Sequence, residues 1–241
     1  MKRDMERFQA GAQWGSRKES AEACARRAEV LFRRLAACDP AYSRWFEYAY
    51  SRKAALGLPF EPTEASFRHF FERKKYRLGK DGFCFEAWTG QEQRGKGGQL
   101  SLTCGSGLPF YTNGCRLHLP REEPAVAARV LTVPVLQEVV RAMVCAWEPD
   151  TCMVVAEEDT GAVQALERGG ACMGWLMYFS HALGKVPALP RSVRVQVLED
   201  KGTLVVLTPE RFRVEDRKHL DVAGRVRERL EKAGLLSTAA R

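Results

Sequence analysis

Long apolar runs are missing from this sequence. The longest, residues 172–179, falls well short of the ~18 apolar residues a membrane-spanning helix needs. The N-terminal MKRDMERFQAG is charged and has no apolar h-region, so no secretory signal is expected. Cysteine occurs at positions 24, 38, 84, 104, 115, 145, 152 and 172 without a single C-x-x-C pair. His69, His118, His181 and His219 are scattered, with no H-x-x-x-H spacing and no cysteine at zinc-finger distance. These absences exclude the common zinc patterns, and no metal or cofactor is expected. The histidines read as surface or hydrogen-bonded residues. A chain of this size without a signal favours reduced thiols in a cytoplasm. Repeats, low-complexity tracts and composition breaks are also missing, so residues 1–241 are expected to form a single domain.

What is present is ordinary in bulk and uneven in charge. Apolar residues make up 45% and charged residues 28%, enough for a chain of 241 residues to bury a sizeable core without staples. The net charge of +8 belongs wholly to residues 1–80, which hold 18 Lys/Arg against 10 Asp/Glu. Residues 81–241 hold 20 of each. Within them Glu148, Asp150, Glu157, Glu158, Asp159 and Glu167 form an acidic stretch that no Lys or Arg interrupts.

Periodicity outlines the elements. Ser20 fits an N-cap, with Glu22 in the first turn where the helix dipole favours an acid. Ala21, Cys24, Ala25, Ala28, Leu31, Phe32 and Leu35 then keep a 3.6-residue period up to Asp39-Pro40, which predicts a helix. A second helix is expected over residues 41–56, its aromatic side chains buried or at an interface. A third is expected over residues 66–78, carrying Phe67, Phe70, Phe71 and Leu78 at near-helical spacing. The period then falls to two. Phe83, Phe85 and Ala87, followed by Leu100, Leu102 and Cys104, predict a hairpin with a long glycine-bearing connection at 91–98. Cys115, Leu117 and Leu119 predict a strand ending at Pro120.

Thr132 fits the cap of a helix striped by Leu136, Val139, Val140, Met143, Val144 and Trp147. Residues 152–156 read as a short strand, and 175–180 as strand or helix. The clearest hairpin joins 192–198 to 203–207 through Asp200-Lys201-Gly202. A last helix is expected over 215–233, with Gly234 in the position of a left-handed cap. This order implies an α+β fold, in which an antiparallel or mixed sheet of hairpins packs with several helices.

Catalytic templates fail. Gly95-Lys96-Gly97-Gly98 lacks the spacing of a phosphate loop, and Gly105-Ser106-Gly107 is not a nucleophile elbow. Asp150 followed by Glu157, Glu158 and Asp159 approaches a metal-dependent nuclease motif, but Asp159 stands where a lysine would help position water. The better reading is a solvated acidic loop. Residues 67–80 interleave aromatics with cations as a nucleic-acid platform would. Their one-sided phenylalanines favour an amphipathic helix.

Motifs spread along the chain carry a resemblance. Trp14-Gly15-Ser16-Arg17-Lys18-Glu19-Ser20 opens the set, followed by Gly82-Phe83, Trp88-x-Gly90, Cys104-Gly105, Asn113 and Leu119-Pro120. Trp147-x-Pro149-Asp150 and Gly174-Trp175-Leu176-x-Tyr178-x-Ser180 come next. The set ends on Val186-Pro187, Leu189-Pro190, Gly202-Thr203-Leu204, Leu207-Thr208-x-Glu210-x-Phe212 and Gly234-Leu235-Leu236. In order and spacing the set resembles the immunity protein 52 family, protective partners of bacterial polymorphic or type VI secreted toxins. The resemblance implies a cytoplasmic, non-catalytic protein that binds a cognate toxin, typically a nuclease with a restriction-endonuclease-like fold. A basic nucleic-acid-binding module using the N-terminal third is the alternative. A hydrolase built on the acidic cluster is a more distant third.

For a basic toxin groove, complementarity points to Asp150, Glu157, Glu158 and Asp159 as the contact. The signature residues Trp14, Gly15, Arg17, Glu19, Ser20, Trp88, Trp147, Gly174, Trp175, Tyr178 and Phe212 are expected to hold the fold, since partner specificity lies more often on variable loops.

Overall fold

The computed structural model describes residues 7–90, 97–109, 111–120, 123–156 and 172–236. Among them six helices accompany one open sheet of eleven antiparallel strands. Strands β1 (Phe8–Trp14), β2 (Trp45–Glu47), β3 (Pro59–Phe60), β4 (Arg77–Leu78), β5 (Gly82–Trp88) and β6 (Gln99–Cys104) come from the N-terminal half. Strands β7 (Asn113–His118), β8 (Thr151–Ala156), β9 (Leu176–Ser180), β10 (Arg194–Leu198) and β11 (Gly202–Val206) complete the sheet. The order across it is β10-β11-β9-β8-β1-β7-β6-β5-β2-β3, with β4 also paired to β5.

Alternating side chains divide the sheet into two faces. On one face Phe8, Ala10, Ala12 and Trp14 of β1 join Phe85, Leu102, Leu117 and Val154 from neighbouring strands in the main core. Helices α1 (Ala21–Cys38), α3 (Glu64–Glu72) and α5 (Val133–Trp147) cover it with Leu31, Phe32, Phe67, Phe71, Val140 and Met143. On the opposite face Met153, Val155, Met177, Phe179 and Val205 pack under Val226 and Leu230 of the last helix, α6 (Arg217–Lys232). Beyond that helix the same face carries polar and small residues. Cys84, Glu86, Ser101, Thr103, Gly114 and Arg116 line a cavity of about 300 Å³ there.

Local signals place several elements where the sequence does. Ser20 Oγ accepts the Ala23 N–H at 3.1 Å and starts α1. The β10–β11 turn has positive φ at Glu199 and Asp200, and the three residues Glu199, Asp200 and Lys201 join the paired Leu198 and Gly202. Past α6, Gly234 adopts φ +71°, and the bonds Leu235 N–H to Leu230 O and Gly234 N–H to Glu231 O close a Schellman cap. Residues 175–180, open between strand and helix, contain strand β9.

Other expectations are corrected. Residues 41–56 are not one helix. Asp39 caps a 3-10 turn at Pro40–Tyr42, β2 follows, and only Arg52–Leu56 is helical, as α2. Trp45 joins the main core while Phe46 joins Trp88 and Ala55 on the other face, so this aromatic segment is buried on both sides as a strand. The third helix stops at Glu72 rather than Leu78, because Arg73 turns to the extended region and residues 74–76 form another 3-10 turn. Thr132 occupies the N-cap position of α5, but its side chain donates to Arg129 O instead of accepting from the helix. Helix α4 (Pro124–Val130) and strands β1 and β3 had no sequence expectation. The tip of the predicted connection at 91–96 lies outside the described residues.

Candidate partner-binding surface

Helix α5 ends at Trp147, and the carbonyls of its last turn have no partners within the helix. Two arginines from the start of the chain supply them. Arg17 Nη2 donates to Trp147 O and Arg27 Nη1 to Ala146 O, each at 2.9 Å. Glu19 sits between the two guanidiniums and accepts from Arg17 Nε at 3.1 Å and from Arg27 Nε at 2.8 Å. The cations also face the negative end of the α5 dipole.

Trp14 stacks on Trp147 with ring centroids 5.1 Å apart, and the Arg17 guanidinium lies 5.3 Å from the Trp14 ring. The Gly15 N–H donates to Asp150 Oδ2 at 3.0 Å, while the Asp150 N–H donates to Gln13 O at 2.8 Å. Asn113 Nδ2 donates to the carbonyls of Gly15 and Ser106, and its Oδ1 accepts the Ser106 N–H. Motifs far apart in sequence therefore meet in one knot, which joins β1, α1, β7 and the end of α5.

The later signature residues are also packed. Trp175 Nε1 donates to Thr208 O at 2.9 Å, tying β9 to the segment after β11. A Cβ on Gly174 would stand 2.6 Å from Val154 O, so the backbone approaches β8 as only glycine permits. Tyr178 is buried in the main core, and Trp88 packs on Phe46 with centroids 6.2 Å apart. Phe212 stacks on His219, whose Nδ1 accepts the Arg213 N–H while Nε2 pairs with Glu210 Oε1 at 3.0 Å.

The acidic stretch is divided by the fold. Glu148, left-handed at the end of α5, is met by Lys201 from the β10–β11 turn and by Arg27 at 3.5 Å. The Lys201 hydrogen bond, opposed by some burial, holds the Glu148 carboxyl below its ordinary range. Asp150 engages Gly15 as described. Glu157, Glu158, Asp159 and Glu167 lie outside the described residues.

The basic stretch at residues 67–80 is anchored by its aromatic side chains, while Arg68, Lys74, Arg77 and Lys80 stay exposed. Phe67, Phe70, Phe71 and Tyr76 are buried, so these rings offer no platform for stacking bases. Arg68 pairs with Glu72, while Arg73, Lys75 and the Tyr76 hydroxyl converge on the buried Glu47. Burial raises the Glu47 carboxyl, but hydrogen bonds from Tyr76 and Lys75, with the nearby charges, bring it below its ordinary value.

Burial pushes the Cys38 and Cys115 thiols up to about 12 and raises Cys84, Cys104, Cys145 and Cys152, which favours the unreactive thiol over the thiolate. Among the described residues no three His, Cys, Asp or Glu side chains are grouped to hold a metal. No single helix among them is long and apolar enough to cross a membrane.

A family model described as Immunity protein 52 matches residues 6–239. Among curated proteins, none matches the chain. Among solved structures, the chain is similar to a Pseudomonas aeruginosa T6SS protein, with 11% sequence identity and a TM-score of 0.54. The match covers 90% of this chain and 75% of that one, and at this identity it speaks for a common fold.

Proposed function

The chain belongs to the immunity protein 52 family, and on that premise we propose that it binds and silences a cognate secreted toxin without catalysing a reaction. The family match over residues 6–239 carries the reading, and a similar fold in a T6SS protein agrees with it. We further propose that the toxin is a nuclease with a restriction-endonuclease-like fold, and that the protein meets it in the producer's cytoplasm. The whole chain acts as one domain, with the signature knot shaping the fold rather than touching the toxin.

The acidic segment Glu157, Glu158 and Asp159, which follows the end of β8 opposite Asp150, would then face the cationic groove with which such a nuclease holds phosphates. The test is to express the cognate toxin, sought among the genes beside this one, alone and with this protein, and to follow cell survival and DNA integrity. Survival and intact DNA only on coexpression support the proposal. A toxin that kills with DNA intact overturns the nuclease assignment, and killing that coexpression does not relieve overturns the immunity reading.

A further inference from the structure

The edge of the sheet at β2 and β3 has a surface that the fold does not use. Tyr48 is 53% exposed, Leu58 is 39% exposed and Tyr50 is fully exposed. These are three of the seven large apolar or aromatic side chains exposed among the described residues, gathered within one short stretch of chain. Single exposed apolar residues are ordinary, whereas a cluster marks an interaction site. Arg44 lies over the Phe46 ring at 5.5 Å, and Arg52 over Trp88 at 5.5 Å. Arg44, Phe46 and Leu56, with Pro40, Thr89 and Gly90, line an indentation of about 180 Å³ beside them.

Charge selects the occupant. Between residues 40 and 60 the charged side chains are Arg44, Glu47, Arg52 and Lys53. Glu47 is buried and already held by Arg73, Lys75 and Tyr76, so the exposed Arg44 and Lys53, with Arg52 over Trp88, outweigh the exposed Glu61 that follows β3 and leave the edge positive on balance. A nucleic-acid site would need many cations along a phosphate track. Here the cations are few and the protruding groups are tyrosines and a leucine. Tyrosine and arginine around an apolar centre are the side chains that dominate protein–protein interfaces.

We propose that the β2–β3 edge, centred on Tyr48, Tyr50 and Leu58 and framed by Arg44, Arg52 and Lys53, is a docking surface for an acidic face of the toxin. This rests on the immunity and nuclease readings and adds to them a second contact, opposite in charge to the acidic segment. A nuclease that holds metal with carboxylates offers such a face at the mouth of its cleft. A partner gripped by both surfaces would be fixed in orientation by the charge pattern alone.

The experiment measures association and dissociation between the full-length protein and the cognate toxin identified by the rescue test above. Tyr50→Ala is the first variant, because its fully exposed ring has nothing to support in the fold. Lys53→Glu is the second, and Val197→Ser on the exposed far edge strand β10 is the control. The expected result is a dissociation constant at least tenfold weaker for Tyr50→Ala, mostly through faster dissociation. Lys53→Glu should slow association severalfold at low salt, and Val197→Ser should match the wild type.

Unchanged kinetics for Tyr50→Ala and Lys53→Glu, with wild-type binding intact, overturn the docking surface and leave the immunity reading standing. Absence of wild-type binding overturns both. A duplex oligonucleotide that binds tightly at physiological salt and is released by the same substitutions would reassign the patch to nucleic acid, which also overturns the proposal.

Discussion

Replacing Glu19 by alanine should destabilise the protein far more than its position before a helix suggests. The carboxylate accepts two charge-assisted hydrogen bonds, from Arg17 Nε at 3.1 Å and Arg27 Nε at 2.8 Å, and its side chain is 12% exposed. Hydrogen bonds to charged groups contribute about 1.5–3 kcal/mol each. Both guanidiniums are 28% exposed and keep their bonds to the α5 carbonyls, so the sum must be discounted for solvent. The resulting loss is about 2–3 kcal/mol, or roughly 4–12 °C in Tm for a chain of this size. Denaturant unfolding of the wild type, Glu19→Ala, Arg27→Ala and the double variant would measure it. The cycle should give a coupling above about 1 kcal/mol between the two side chains. A Glu19→Ala loss within about 0.5 kcal/mol, the range of ordinary surface substitutions, would refute the knot as a source of stability.

Trp147→Ala should cost about 3–5 kcal/mol, since the side chain is fully buried and stacked on Trp14, and near-UV circular dichroism should lose the paired-indole signal. Acid should unfold the protein through carboxyls whose native pKa values are lowered: Asp39 by the Arg129 hydrogen bond, Glu148 by Lys201, and Glu47 as described. Their contribution is complete above the unfolded carboxylate value of about 4 and is lost as pH falls through the native values. The denaturant midpoint should therefore hold from pH 7 to 5 and drop below about 4, with a shallower fall in Glu47→Gln. Reversing Glu157, Glu158 and Asp159 to lysine should leave the fold intact and slow toxin association most at low salt; unchanged kinetics would remove that segment from the contact. The purified protein should cleave no DNA with Mg²⁺, Mn²⁺ or Zn²⁺, and metal-dependent cleavage abolished by Asp150→Ala would argue for the hydrolase instead.

Local chemistry explains which parts of the fold could be read from the sequence. The Ser20 cap, the even period of α1 and the stop at Asp39-Pro40 are all near-neighbour effects, as is the β10–β11 turn. Strand β1 escaped because Ala10, Gly11 and Ala12 have little strand propensity, and its position between β7 and β8 comes from packing. Residues 41–56 misled because Tyr42, Trp45 and Phe46 mimic a helical stripe. A strand buried on both faces presents the same apolar density, and periodicity cannot separate the two.

The knot was visible as a list of signature residues but not as a geometry. Its bonds join Gly15 to Asp150 and Arg17 to Trp147, separations that no local pattern records. In sequence the exposed edge at Tyr48 and Tyr50 is only aromatic content, because burial inside the chain and burial against a partner look alike there.

The most direct test of the immunity account is survival of cells expressing the cognate toxin, with and without this protein, combined with purification of the two chains together. The account predicts that wild-type protein restores growth and co-elutes with the toxin as a stoichiometric complex burying more than about 1,200 Å². Equal killing in both cultures, with the two chains eluting apart, would contradict it.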